Sequence, residues 1–110
     1  MVRVPLEVLE LEQMTSGDRS IRLTLSVTWD DFGSYATALI RTLEADLVHK
    51  ADSPVERVWT ISIGGRQYWL SFDDFGLGAS LAPCDTEAND GIETIRQRLL
   101  EIRNEGERAG

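Results

Sequence analysis

Val55-Glu-Arg-Val-Trp-Thr-Ile-Ser-Ile-Gly-Gly-Arg-Gln-Tyr-Trp-Leu-Ser-Phe-Asp-Asp-Phe-Gly-Leu-Gly-Ala-Ser-Leu-Ala82 contains two strand-like runs on either side of Gly64-Gly65. Two residues are what a tight β-hairpin needs, and glycine takes the positive φ of such a turn without a Cβ clash. A two-residue turn sets Ile63 opposite Arg66. Ile61 then faces Tyr68 and Trp59 faces Leu70 on one side of the sheet. On the other side Ser62 faces Gln67 and Thr60 faces Trp69. After the link Asp73-Asp74-Phe75-Gly76, the run from Leu77 to Ala82 extends the meander by a third strand. One face of this unit is apolar, and the other is polar except for Trp69.

Upstream, Ala36, Leu39, Ile40, Leu43 and Leu47 recur at helical spacing behind a cap at Asp30 or Asp31. The pattern predicts a helix to Leu47 or Val48 that decays through His49 to Ser53 and cannot pass Pro54. Before it, Ile21, Leu23, Leu25, Val27 and Trp29 alternate with polar residues and predict a half-buried antiparallel strand. Thr15-Ser16-Gly17-Asp18 reads as a turn. Residues 2–12 read as an edge strand carrying Pro5, with a bulge near Val8-Leu9.

Downstream, Asp85 or Thr86 caps a second helix whose apolar stripe is Ala88, Ile92, Ile95, Leu99 and Ile102. Its acids lead and its arginines trail, which suits the helix dipole. Gly91 weakens it, and the tail from Asn104 to Gly110 is expected to fray. The predicted order is β-β-α-β-β-β-α in a single α+β domain over residues 1–110. Elements with one apolar face each stack as a two-layer sandwich, here an antiparallel sheet of about five strands under two helices.

Charge narrows the partners. The net charge of −8 is shared evenly: residues 1–54 carry five basic and nine acidic groups, and residues 55–110 carry six and ten. No basic half exists to hold nucleic acid. No apolar run reaches the roughly 20 residues of a membrane span. The single cysteine, Cys84, excludes an internal disulfide and agrees with a reducing compartment. The expected location is therefore cytoplasmic. Between Arg66 and Arg96 the chain has no Lys, Arg or His, but it has Asp73, Asp74, Asp85, Glu87, Asp90 and Glu93.

The catalytic motifs are missing. His49 is the sole histidine and lies beside Lys50. Cys84 precedes a helix, which favours a thiolate, but Asp85 and Glu87 beside it oppose one. There is no Gly-x-Ser-x-Gly, phosphate loop or zinc spacing. Trp29-Asp-Asp-Phe-Gly33 and Phe72-Asp-Asp-Phe-Gly76 are near copies. The first opens a helix and the second a strand, so both read as turn and cap chemistry. Four aspartates are a conceivable hard-cation set, though nothing in the sequence fixes their mutual distances. The expectation is a protein that is not an enzyme, with no catalytic site, metal or cofactor. Trp69 stands out instead as an aromatic anchor on a polar face, a residue type enriched at interface hot spots.

The stretch Tyr68-Trp-Leu-Ser-Phe-Asp-Asp-Phe-Gly-Leu-Gly-Ala-Ser-Leu-Ala-Pro83, continuing into Asp85-Thr-Glu-Ala-Asn89, resembles the C-terminal signature of small uncharacterised bacterial proteins. Some of these are similar to immunity proteins that protect a cell from its own secreted toxins. That resemblance implies a small cytoplasmic protein that occludes a toxin's active site. The leading expectation is an acidic protein-binding module for a more basic protein, which the resemblance would make a toxin domain. The expected contact residues are Trp69, Asp73, Asp74, Asp85, Glu87 and Asp90, with Asp73-Asp74 favoured as the pair nearer Trp69 in the chain. The alternatives are a self-associating structural domain, which would form a homodimer, and an aspartate-based metal enzyme.

Overall fold

The structure is a computed structural model that describes residues 6, 9–13, 18–24, 27–73 and 78–109. Gly64 and Gly65 take φ of 58° and 80°, the left-handed geometry of a two-residue hairpin turn. They join β4 (Glu56–Ile63) to β5 (Arg66–Asp73). The register is the expected one, with Ile63 opposite Arg66, Ile61 opposite Tyr68 and Trp59 opposite Leu70. Trp59, Ile61, Tyr68 and Leu70 are all buried, while Trp69 stays 40% exposed. β6 (Gly78–Pro83) pairs antiparallel with β5.

β1 (Glu10–Gln13) and β2 (Arg19–Thr24) form a hairpin, and β2 pairs with β6. The strand expected from Ile21 to Trp29 is shorter at its far end: Trp29 lies in a turn, and Leu25 is outside the described residues. So are Pro5, Val8 and the turn residues Thr15 to Gly17. α1 (Phe32–Thr42) then carries the chain across one side of the sheet. It does not continue to Leu47. Leu43 caps it, Glu44 adopts φ 55°, and β3 (Asp46–Asp52) runs back antiparallel to β4.

The region read as a decaying helix is thus a sixth strand. Leu47 fits the helical period, but its backbone pairs across to Ile61. The backbone hydrogen bonds that β3 makes along β4 give this segment a tertiary partner, and that pairing overrides a weak local helix propensity. Ser53 closes the β3–β4 turn, its amide donating to the Glu56 carbonyl (2.8 Å). The complete sheet has the order β1-β2-β6-β5-β4-β3, antiparallel throughout.

The second helix is two helices, α2 (Thr86–Asp90) and α3 (Ile92–Ala109), broken at Gly91. Asp85 is the cap, its carboxylate accepting from the Ala88 amide (2.8 Å). The backbone of α3 stays helical through Ala109, past Asn104, where a frayed tail was expected. Ala88, Ile92, Ile95 and Leu99 are buried against the sheet together with Phe32, Tyr35, Ala36 and Leu39 of α1. The N-terminal segment is tied to α3 where Arg96 Nε donates to the Leu9 carbonyl (2.6 Å). All helices lie on one face of the sheet, which gives the two-layer α+β architecture. Among the described residues no helix is long and apolar enough to cross a membrane.

Candidate functional surfaces

Register decides which side chains share a face. One row on the helix side runs Ile21, Leu81, Leu70, Trp59, Lys50 from β2 to β3. A parallel row runs Thr24, Ala79, Phe72, Arg57, Asp52. Both rows are buried up to Trp59 and Phe72 and become charged at the β3 edge. Alternate positions point the other way, so Thr60, Trp69 and Ala82 form a row on the face that carries no helix.

The residues expected to bind a partner fall on separate surfaces. Trp69 sits in the middle of the uncovered face, between half-buried Thr60 and Ala82. Asp73 ends β5 opposite Glu56 and Gly78, four residues or roughly 13 Å along the strand from Trp69. Asp74 lies outside the described residues. Asp85, Glu87 and Asp90 lie on α2, over the opposite face and at the opposite end of β6. Trp69 and the α2 acids therefore do not converge.

The cation-free stretch of chain is nevertheless met by arginines from other strands around the α2–α3 junction. The Arg19 amide donates to Asn89 Oδ1 (2.8 Å), and the Arg19 guanidinium pairs with Glu93. Arg66 reaches the α2–α3 junction from β5, where its guanidinium lies within 2.9 Å of a Cβ placed on Gly91. Burial pushes the Cys84 thiol above its ordinary pKa, and the Asp85 carboxylate adds to the shift. That is the wrong direction for a nucleophile. His49 stands exposed on β3, not at a helix end.

A second surface was not legible in the sequence. α1 does not cover β3, and a groove of about 710 Å³ opens between them. Its walls include Ser34, Thr37 and Arg41 from α1, Lys50 from β3, and Arg57 and Trp59 from β4. Arg57 is held on every side. Its Nε and Nη2 donate to the Asp52 carboxylate (3.1 and 3.3 Å), and its Nη1 donates to the Trp29 carbonyl (3.0 Å). Its guanidinium also lies 4.7 Å from the Trp29 ring centre and 5.5 Å from that of Phe32.

Asp52 also accepts from Trp59 Nε1 (3.1 Å). The Arg57 hydrogen bonds, with help from Trp59, hold its carboxyl below the usual range. Lys50 Nζ sits 4.2 Å from the centre of the Trp59 ring. Among the described residues no carboxylate lies within ion-pair distance of Arg41 or Lys50. The alternation Lys50-x-Asp52 was the available clue, but it carries meaning only once the segment is known to be a strand.

Compared with known proteins, residues 9–97 match the model of a family described as a protein of unknown function, DUF3630. No curated protein and no solved structure matches the chain.

Proposed function

The chain belongs to the DUF3630 family, and from its own surfaces we propose a protein-binding module that docks a partner on the uncovered sheet face. The observation that carries this reading is Trp69, 40% exposed at the centre of that face although the other large aromatic residues of β4 and β5 are buried. Around it lie the short side chains Thr60, Ser62, Ser71, Ser80 and Ala82, with Val58 and exposed Gln67 beside them on the same face. A large rigid aromatic on such a plane supplies contact area at small entropic cost. The net charge of −8 favours encounter with a basic partner. The finer form of the proposal, drawn from the immunity-protein resemblance, is a cytoplasmic inhibitor whose partner is a toxin domain.

The cap role of Asp85 and the raised Cys84 thiol support a binding role over a catalytic one. Self-association is the second reading, and exposed Leu47 and Val48 on edge strand β3 favour it. Affinity capture from the native host separates them. Trp69→Ala should lose the partner by about 30-fold, near 2 kcal/mol, without a change in thermal midpoint. Retention of the partner by that variant would remove the proposed face. A concentration-dependent dimer in sedimentation that persists in Trp69→Ala would favour the β3 edge.

A further inference from the structure

We propose that the groove between α1 and β3 binds a small phosphorylated molecule. This site lies on the opposite face of the sheet from Trp69 and is independent of the protein-docking reading. The chain is strongly acidic, yet the groove gathers Arg41, Lys50 and Arg57, three of its 11 lysines and arginines. No carboxylate is among the lining residues, and Asp52 beside the groove pairs with Arg57. Arg41 and Lys50 therefore add two positive charges that no carboxylate among the described residues meets at ion-pair distance.

Two of the three cations are pre-positioned. Arg57 is fixed by Asp52, the Trp29 carbonyl and the surrounding aromatic rings. Its Nη groups lie 3.7 and 3.8 Å from a Cβ placed on Gly33, so they reach the α1 wall with N–H bonds to spare. Lys50 is held against the Trp59 ring. Arg41 is exposed in the last turn of α1, and helical side chains lean back toward the N-terminus, in this case along the groove.

Hydroxyls complete the donor set. Thr37 and Thr42 spend their protons on the Gly33 and Ala38 carbonyls (2.8 Å each), which leaves Ser34 as the α1 hydroxyl available to donate. The Arg41 fork, the two remaining N–H bonds of Arg57, an ammonium and a hydroxyl match the several acceptor oxygens of a phosphoryl group better than the two of a carboxylate. The volume admits a ligand larger than the bare anion, and Trp59 provides an apolar wall.

The test uses the full chain, with sodium pyrophosphate as probe and sodium chloride at matched ionic strength as reference. Binding is read by calorimetry and by the shift in thermal midpoint. Pyrophosphate should raise the midpoint above the chloride reference. Arg41→Gln and Lys50→Gln should each weaken binding about tenfold or more. Arg98→Gln, the same charge change on α3 away from the groove, should leave it within about twofold, and so should Trp69→Ala. Arg41 is exposed, so its variant folds even if the Lys50 variant does not. Three results would each overturn the proposal: no shift beyond chloride, equal losses in Arg41→Gln and Arg98→Gln, or citrate binding as tightly as pyrophosphate.

Discussion

The helical layer meets the sheet along two seams that differ in closeness. At the α2–β5 seam Tyr68 OH donates to the Ala88 carbonyl (2.9 Å), and a methyl at Gly91 would sit 2.6 Å from that hydroxyl. Helix and strand touch there with no room for a side chain. On the α1 side a methyl on Gly33 would meet only the Arg57 guanidinium of β4, at 3.7 Å, and the groove toward β3 stays open. The first seam spends its polar groups on itself: Asp85 caps, Asn89 accepts from Arg19, and Tyr68 binds backbone. The second leaves Arg41 and Lys50 without carboxylate partners among the described residues. Close packing consumes side chains that might otherwise bind, so chemistry collects where the layers part.

The comparison breaks most sharply at glycine. Gly91→Ala should cost about 1–3 kcal/mol in urea unfolding, because the new methyl overlaps Tyr68 and Arg66. A neutral outcome would mean that the α2–β5 seam has slack.

Tyr68→Phe should cost about 1 kcal/mol at neutral pH, since the Ala88 carbonyl loses its donor. Burial raises the Tyr68 pKa above its ordinary value. The stability it contributes is therefore complete below the unfolded value of about 10 and fades as pH climbs through the folded one. Measured against pH, the gap between wild type and Tyr68→Phe should shrink above about pH 10. A constant gap would place the hydroxyl in water.

At the looser seam Gly33→Ala should stabilise by about 0.5–1 kcal/mol, because the helix gains propensity and nothing obstructs the methyl. Destabilisation would show that α1 presses on Arg57 more closely than these distances allow.

The smallest effect belongs to Asp52→Asn. The Asp52 pKa is depressed, so its contribution is present above the unfolded value of about 4 and is lost as pH falls through the folded value. The side chain is about one-third exposed, so the variant should lose only a few tenths of a kcal/mol at neutral pH. Its stability should also fall less steeply than that of wild type on acidification below about pH 4. Identical acid limbs would show that the Arg57 pairing adds nothing.

Local rules carried the meander and the last helices. Gly64-Gly65 specifies a two-residue turn, alternation then places Trp59, Ile61, Tyr68 and Leu70 inward, and the carboxylate of Asp85 caps the amides that follow it. These outcomes depend on neighbours within a few residues, so they are written in the chain. The exposure of Trp69 was half written. Parity set its face, but only the placement of every helix on the other side left that face open.

Four features needed the tertiary structure. Leu47 fits a helical period, and pairing along β4 makes its segment a strand because the tertiary ladder overrides a weak local propensity. Gly91 reads as a weak helix position, and its purpose appears only when Tyr68 arrives from 23 residues away in the chain. The stretch from Gln67 to Ile95 looks free of cations along the sequence, while Arg19 pairs with Glu93 from β2 and Arg66 reaches Gly91 from β5. The groove is the extreme case. Arg41, Lys50 and Arg57 come from a helix and two strands, and no spacing in the sequence predicts that they line one cavity. Charge and periodicity are properties of the chain, but proximity between elements is set by sheet order and by how closely each helix lies on the sheet.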